Sequence, residues 1–292
     1  MVPVALKVGL QLYSVRQSLQ VDPYGTLAKV AEAGYKYIEA ANHNAADDPG
    51  IGFGVPASKM KDTLERFGMS IVGCHINPLK PELLGQILDY HQAVGNPQIG
   101  TDIEFFPHGD IDFVLRRCEL FNKIGEMCQE RGMRYYYHNH YQEFQTFGDK
   151  TVFEIIMENT DPDLVFLEMD TYWMIRGGQN PLELMQKYKD RLLLLHQKDF
   201  PKNAPQPKVM YDGLIAPQQD ISMEVFVSTL DPLCFTEIGT GVLPIQEIID
   251  VAESAPNLEY IILEQDHSQL GEIESIKASM EAFQKFSGVK WS

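Results

Sequence analysis

Ionisable residues close one apolar run after another along this chain. His75 ends a run beginning at Ser70, His138 and His140 follow three tyrosines, Asp170 ends Phe-Leu-Glu-Met, His196 follows four leucines, and Glu264 follows Ile-Ile-Leu. Glu39 closes a shorter run, Tyr-Ile. One histidine in such a place is usually a hydrogen-bonded structural residue. Half of the eight histidines here share it, which concentrates titratable groups where chemistry is done. Asp170, His196 and Glu264 together offer carboxylate oxygens and one imidazole, a donor set for a hard or borderline divalent ion with open positions. Mn²⁺ or Mg²⁺ suits it best, and Co²⁺ or Zn²⁺ is compatible. A fourth ligand is expected from the segment after His138, where Glu143 is the only carboxylate before Asp149. Lys198 could stabilise a developing oxyanion, and Trp173 could stack on a sugar ring. Glu39, His75 and His140 complete the expected substrate contacts.

Positioning these groups requires strands that end together. β-rich runs alternate with amphipathic helices in about eight units, the pattern of a single-domain α/β (β/α)8 TIM barrel over residues 1–292. The expected strands are 8–13, 37–40, 70–76, 98–103, 134–138, 164–169, 192–196 and 260–264, with 234–237 as a strand extension or a loop rung. Leu120, Ile124 and Met127, and then Ile273, Ile276, Met280 and Phe283, have helical spacing and should pack on the barrel. Gly34, Gly68 and Gly132 follow helices where a left-handed cap is cheapest, and Pro56, Pro81, Pro181 and Pro244 mark helix starts. Residues 199–231, with four prolines among polar residues, read as a long loop leaving strand seven, either a cover for the active site or a surface insertion.

In a βα barrel the strand carboxyl ends form the active face, so the residues above share one mouth. The chain of 292 residues needs no second domain to bury a core. A net charge of −17 repels nucleic acid and anionic membrane surfaces and favours a neutral small molecule. Four cysteines without a CxxC pair are expected to be reduced core thiols in a cytoplasmic protein, and no apolar stretch has the length of a membrane span. A homo-oligomer with an even number of subunits is an expectation from the barrel class alone.

Five segments carry a resemblance: residues 9–16 (Gly-Leu-Gln-Leu-Tyr-Ser-Val-Arg), 138–144 (His-Asn-His-Tyr-Gln-Glu-Phe), 168–173 (Glu-Met-Asp-Thr-Tyr-Trp) with Gly177 and Gly178 behind it, 196–199 (His-Gln-Lys-Asp) and 263–266 (Leu-Glu-Gln-Asp). In this order they resemble the xylose isomerase-like TIM barrels, in particular the sugar phosphate isomerases/epimerases. The resemblance implies a divalent metal held by Glu143, Asp170, His196 and Glu264. One departure is visible: His138 occupies the tip of strand five, where the better known epimerases have the first glutamate. No Gly-rich phosphate cradle with a basic partner is present.

The expected activity is that of a sugar isomerase or epimerase in carbohydrate metabolism, acting on a small keto sugar through proton abstraction and an enediolate. Glu143 and Glu264 would be the acid/base pair, with His138 relaying protons. A keto-sugar or inosose dehydratase or lyase is the alternative on the same barrel, and a sugar-binding barrel without catalysis is the non-enzyme alternative. An endonuclease for abasic DNA would need more ligands and a basic face.

Overall fold

Each of the eight apolar runs becomes a strand. In the computed structural model, which describes residues 5–291, the strands form one parallel barrel. They are β1 (Leu6–Gln11), β2 (Tyr37–Asn42), β3 (Ser70–Ile76), β4 (Gln98–Thr101), β5 (Arg134–His138), β6 (Val165–Asp170), β7 (Leu192–Gln197) and β8 (Tyr260–Leu263). Pairing of β8 with β1, from Lys7 opposite Tyr260 to Leu10 opposite Leu263, closes the barrel and removes the sheet edges. A short strand, Val289–Lys290, also pairs with β1 at Leu6 and Lys7. β1 stops at Gln11 rather than Tyr13 because a 3-10 turn, Leu12–Val15, begins there, with the Gln11 side chain accepting the Tyr13 N–H.

Helices surround the barrel and bury their apolar faces on it. In Ile111–Glu130 the buried face is Val114, Cys118, Phe121, Ile124 and Cys128, so the expected Leu120 and Met127 lie at its margin. Ile276, Met280 and Phe283 are buried as their spacing required. Gly68 caps its helix in the left-handed conformation at φ 63°. All four cysteines are buried and unpaired. No helix among the described residues is long and apolar enough to cross a membrane.

His91 lies in the helix Pro81–Ala93, fully buried, with Nδ1 3.0 Å from the Asn96 amide nitrogen. Burial disfavours the imidazolium and pushes its pKa from 6.5 down to about 3. The unfolded chain therefore binds a proton below pH 6.5 that the folded chain refuses. Stability should fall by about 1.4 kcal/mol per pH unit from this group as the pH drops from 6.5 towards 3. Urea midpoints measured against pH should show this slope in the wild type and lack its share in His91→Gln.

Residues 199–231 are not a structureless loop. They contain a helix, Met223–Thr229, whose Ser222 cap accepts the Val225 N–H, and they have a core of their own. Met210, Ile215, Ile221 and Phe226 pack there with Tyr141, Tyr172 and Trp173. Arg176 fastens the excursion by donating to the Pro207 carbonyl and the Gln206 side chain, each at 2.6 Å. One carboxylate ties its start to a later segment. Asp199 accepts the N–H groups of Phe200, Gly239, Gly241 and Leu243 at 2.9–3.1 Å. Thr236 bridges to the Asp199 backbone, so the 234–237 run is a loop rung. Asp199→Ala would orphan one buried donor, the Phe200 N–H, and three part-buried ones, and should lower stability by about 1–3 kcal/mol, read from chemical denaturation.

Candidate metal centre and barrel mouth

Four side chains from consecutive strand ends converge at the mouth: His138 from β5, Asp170 from β6, His196 from β7 and Glu264 just past β8. All are buried, and each contributes a donor atom within 4.8 Å of the others. His196 Nδ1 lies 3.1 Å from Glu264 Oε2 and 3.9 Å from Asp170 Oδ2. His138 Nε2 lies 3.6 Å from Asp170 Oδ2 and has no hydrogen-bond partner. An orphaned buried imidazole nitrogen aimed at two carboxylates and a second imidazole fits a divalent cation.

Lys198, also buried, donates from Nζ to both Asp170 and Glu264. Burial alone would raise both carboxyl pKa values. The ammonium and the neighbouring imidazoles prevail, holding Asp170 down at about 2 and Glu264 well below its usual range. Both are anions ready to ligate.

A second polar layer lies beneath. His196 presents Nε2 downward, 2.6 Å from Glu39 and 3.0 Å from Glu168, while His75 Nε2 lies 2.5 Å from Glu168 and 3.3 Å from Glu39. Glu39 also accepts from Gln11 and from the Tyr136 hydroxyl. Both glutamates sit where the ladder slips, at Ile38/Glu39 between β2 and β3 and at Leu167/Glu168 between β6 and β7. Bulges of this kind re-aim a side chain, here into the barrel. Two carboxylates facing two imidazoles give a mutually hydrogen-bonded layer that fixes the His196 ring and turns Nδ1 to the mouth, beside Glu264.

Tyr136 crosses the barrel because Gly100 leaves it room. A Cβ at Gly100 would meet the ring at 2.1 Å. Gly100→Ala should therefore destabilise the fold by about 1–3 kcal/mol, measurable as a lower urea midpoint, through overpacking at this layer.

The remaining expected residues distribute unevenly. Glu143, expected as first metal ligand and acid/base, is not brought to the metal donors. It follows β5 in a 3-10 turn, Gln142–Phe144, and its carboxylate accepts the Tyr137 hydroxyl at 2.7 Å and the His140 N–H at 3.0 Å. Burial raises its pKa to about 7. His138, expected as a proton relay, stands among the donors in its place. Glu39, expected as a substrate contact, is the third residue of β2 and lies a layer too deep to line the mouth. His75, His140, Trp173 and Glu264 do line it. Trp173 is only 2% exposed and packs mainly in the core of the excursion. Lys198 contacts the metal donors from the side, its Nζ 5.8 Å from the centre of the Trp173 ring.

Four residues went unassigned in the sequence reading. Glu168 was hidden inside an apolar run. Asp102, His43 and Asp266 follow β4, β2 and β8, past the last regular residue, and all three line the mouth. His43 Nε2 is 3.3 Å from Asp102 Oδ2. Burial, reinforced by Glu264 and Asp170 against the pull of Lys198, raises Asp266 to about 7. The cavity above the donors measures about 310 Å³, at the small end of ligand pockets.

The model of the xylose isomerase-like TIM barrel family matches residues 27–286. An inosose dehydratase of Clostridium botulinum is 38% identical over 81 residues, 27% of this chain and 26% of that protein, so the match spans about a quarter of the relative's length. A sugar phosphate isomerase/epimerase structure from Parabacteroides distasonis superposes with a TM-score of 0.72 at 22% identity, covering 99% of this chain and 97% of that one. The probable 3-DHS dehydratase AsbF of Bacillus anthracis superposes with a TM-score of 0.67 at 15% identity, covering 96% and 99%. At these identities the superpositions establish the fold. With the family model spanning most of the sequence and the closed eight-stranded barrel found in the structure, the chain belongs to the xylose isomerase-like TIM barrels, a fold family of enzymes.

Proposed function

We propose that this barrel is a divalent-metal-dependent lyase that removes the proton beside the carbonyl of a small, neutral keto polyol and expels a β-hydroxyl or β-alkoxy group. The carrying observation is the His138, Asp170, His196 and Glu264 quartet, which opens into a cavity lined by further acids and imidazoles. A divalent ion held there would supply Lewis acidity to a substrate carbonyl and acidify the neighbouring C–H. Glu264 and Asp266 are the carboxyls placed to move that proton. Lys198 keeps a positive charge beside them, and the His43–Asp102 pair offers a second proton-handling group on the same cavity.

Elimination is favoured over epimerisation because the acid/base pair expected for epimerisation, Glu143 with Glu264, is not assembled on the cavity. Glu143, the carboxylate expected to serve the second face, is held by Tyr137 and His140 instead. The similarity to an inosose dehydratase points the same way. An isomerase or epimerase would share the first step and differ in the product.

The protein loaded with Mn²⁺ should be incubated with an inosose in D₂O and followed by NMR and ultraviolet absorbance. Deuterium uptake with loss of water is expected. Deuterium uptake with an epimer or isomer as product would select the isomerase, and binding with no exchange would leave a sugar-binding barrel. Mg²⁺, Co²⁺ and Zn²⁺ in parallel would identify the working ion.

A further inference from the structure

The cavity above the metal donors has two unlike parts. His43, Asp102 and Asp266 form a polar part suited to hydroxyl groups. The helix Met223–Thr229 and the residue after it supply another: Met223, Phe226, Val227 and Leu230, spaced at i, i+3, i+4 and i+7, all line the same cavity. This spacing places them on one helical face. Phe226 is 7% exposed and anchors the helix in the core of the excursion, whereas Met223 and Val227 are 48% and 56% exposed. A free sugar, with hydroxyls around its ring, would leave these apolar groups facing polar ones. Among the described residues no Lys or Arg lines the cavity, and its imidazoles lie in the polar part, away from the stripe's exposed Met223 and Val227.

We infer that the stripe is a subsite for an uncharged apolar substituent, and that the substrate is a keto sugar or cyclic keto polyol carrying an aryl or alkyl group rather than a free sugar. The inference rests on the proposed reaction only for the identity of the polar half. The ring sits over the donors and among the acids. The substituent lies along Met223 and Val227, which it removes from water. Continuity of the stripe with the metal-facing cavity selects a ligand group over a second protein surface as its cover.

The test reads binding and needs no turnover. Phenyl and methyl β-D-glucopyranoside are titrated by calorimetry into the Mn²⁺-loaded wild type and into Val227→Asp and Met223→Ser, with thermal midpoints confirming that each variant is folded. The wild type should bind the phenyl glycoside about tenfold more tightly, since a buried aryl ring adds apolar contact area. Either substitution should shrink that ratio towards one with metal content unchanged. Equal affinities in the wild type, or binding of neither glycoside, would overturn the subsite. So would a ratio unmoved by substitution together with a dimer-to-monomer change in sedimentation, which would assign the stripe to a second copy of this chain. Failure of deuterium exchange on the inosose with the glycoside preference intact would remove the reaction and leave the subsite standing.

Discussion

The double substitution Asp170→Asn, His196→Ala should empty the barrel of divalent metal, taking it from about one equivalent per chain to none by elemental analysis. These residues supply two of the four donors, from adjacent strand ends, and His196 is shared with the layer beneath. Loss of the ion would remove the principal stabilisation of the developing oxyanion, and turnover should fall about a thousandfold or more. Chelation of the wild type with EDTA should reproduce the loss, and adding Mn²⁺ should reverse it. Full metal occupancy in the double variant would refute the assignment of this quartet.

The second large effect is a contrast between two glutamates. Glu264→Gln should lower kcat by about 10²–10⁴-fold, because it removes both a metal donor and a carboxylate placed for proton transfer. Glu143→Gln should leave kcat within about threefold, because its carboxylate is occupied by Tyr137 and the His140 N–H. Glu143 should be felt in stability instead. Its folded-state pKa of about 7 lies above the ordinary 4.5, so the folded chain holds a proton that the unfolded chain releases. Stability falls by about 1.4 kcal/mol per pH unit as the pH rises from 4.5 to 7, and Glu143→Gln should lack that slope. A kcat loss matching that of Glu264→Gln would return Glu143 to the chemistry.

The barrel was legible because its strands are short apolar runs separated by helical periods. The bounds of β3 and β5 agree with the expected 70–76 and 134–138. Asp170, His196 and Glu264 were legible for the same reason, each ending a run. Glu143 misled because nearness in sequence is not nearness in space. The 3-10 turn after β5 carries it away from the strand tip, and the imidazole already at that tip fills the position. Glu39 and His75 were legible as run ends but not their depth, and Glu168 was illegible because the slip at Leu167/Glu168 breaks the two-residue alternation by which inward residues are recognised. Asp102 and Asp266 lie in loops, where no periodicity says which way a side chain turns.

The Asp199 clamp bears on how such a barrel changes its diet. A single carboxylate fastens the start of the excursion to the loop at Gly239–Leu243, so the connection is closed whatever lies between. The intervening stretch packs on Tyr172 and Trp173, and it carries Met223 and Val227 but none of the four candidate metal donors. Substitutions at Met223 and Val227 would therefore reshape the outer wall of the cavity while the four candidate donors and the polar layer beneath them stayed as they are.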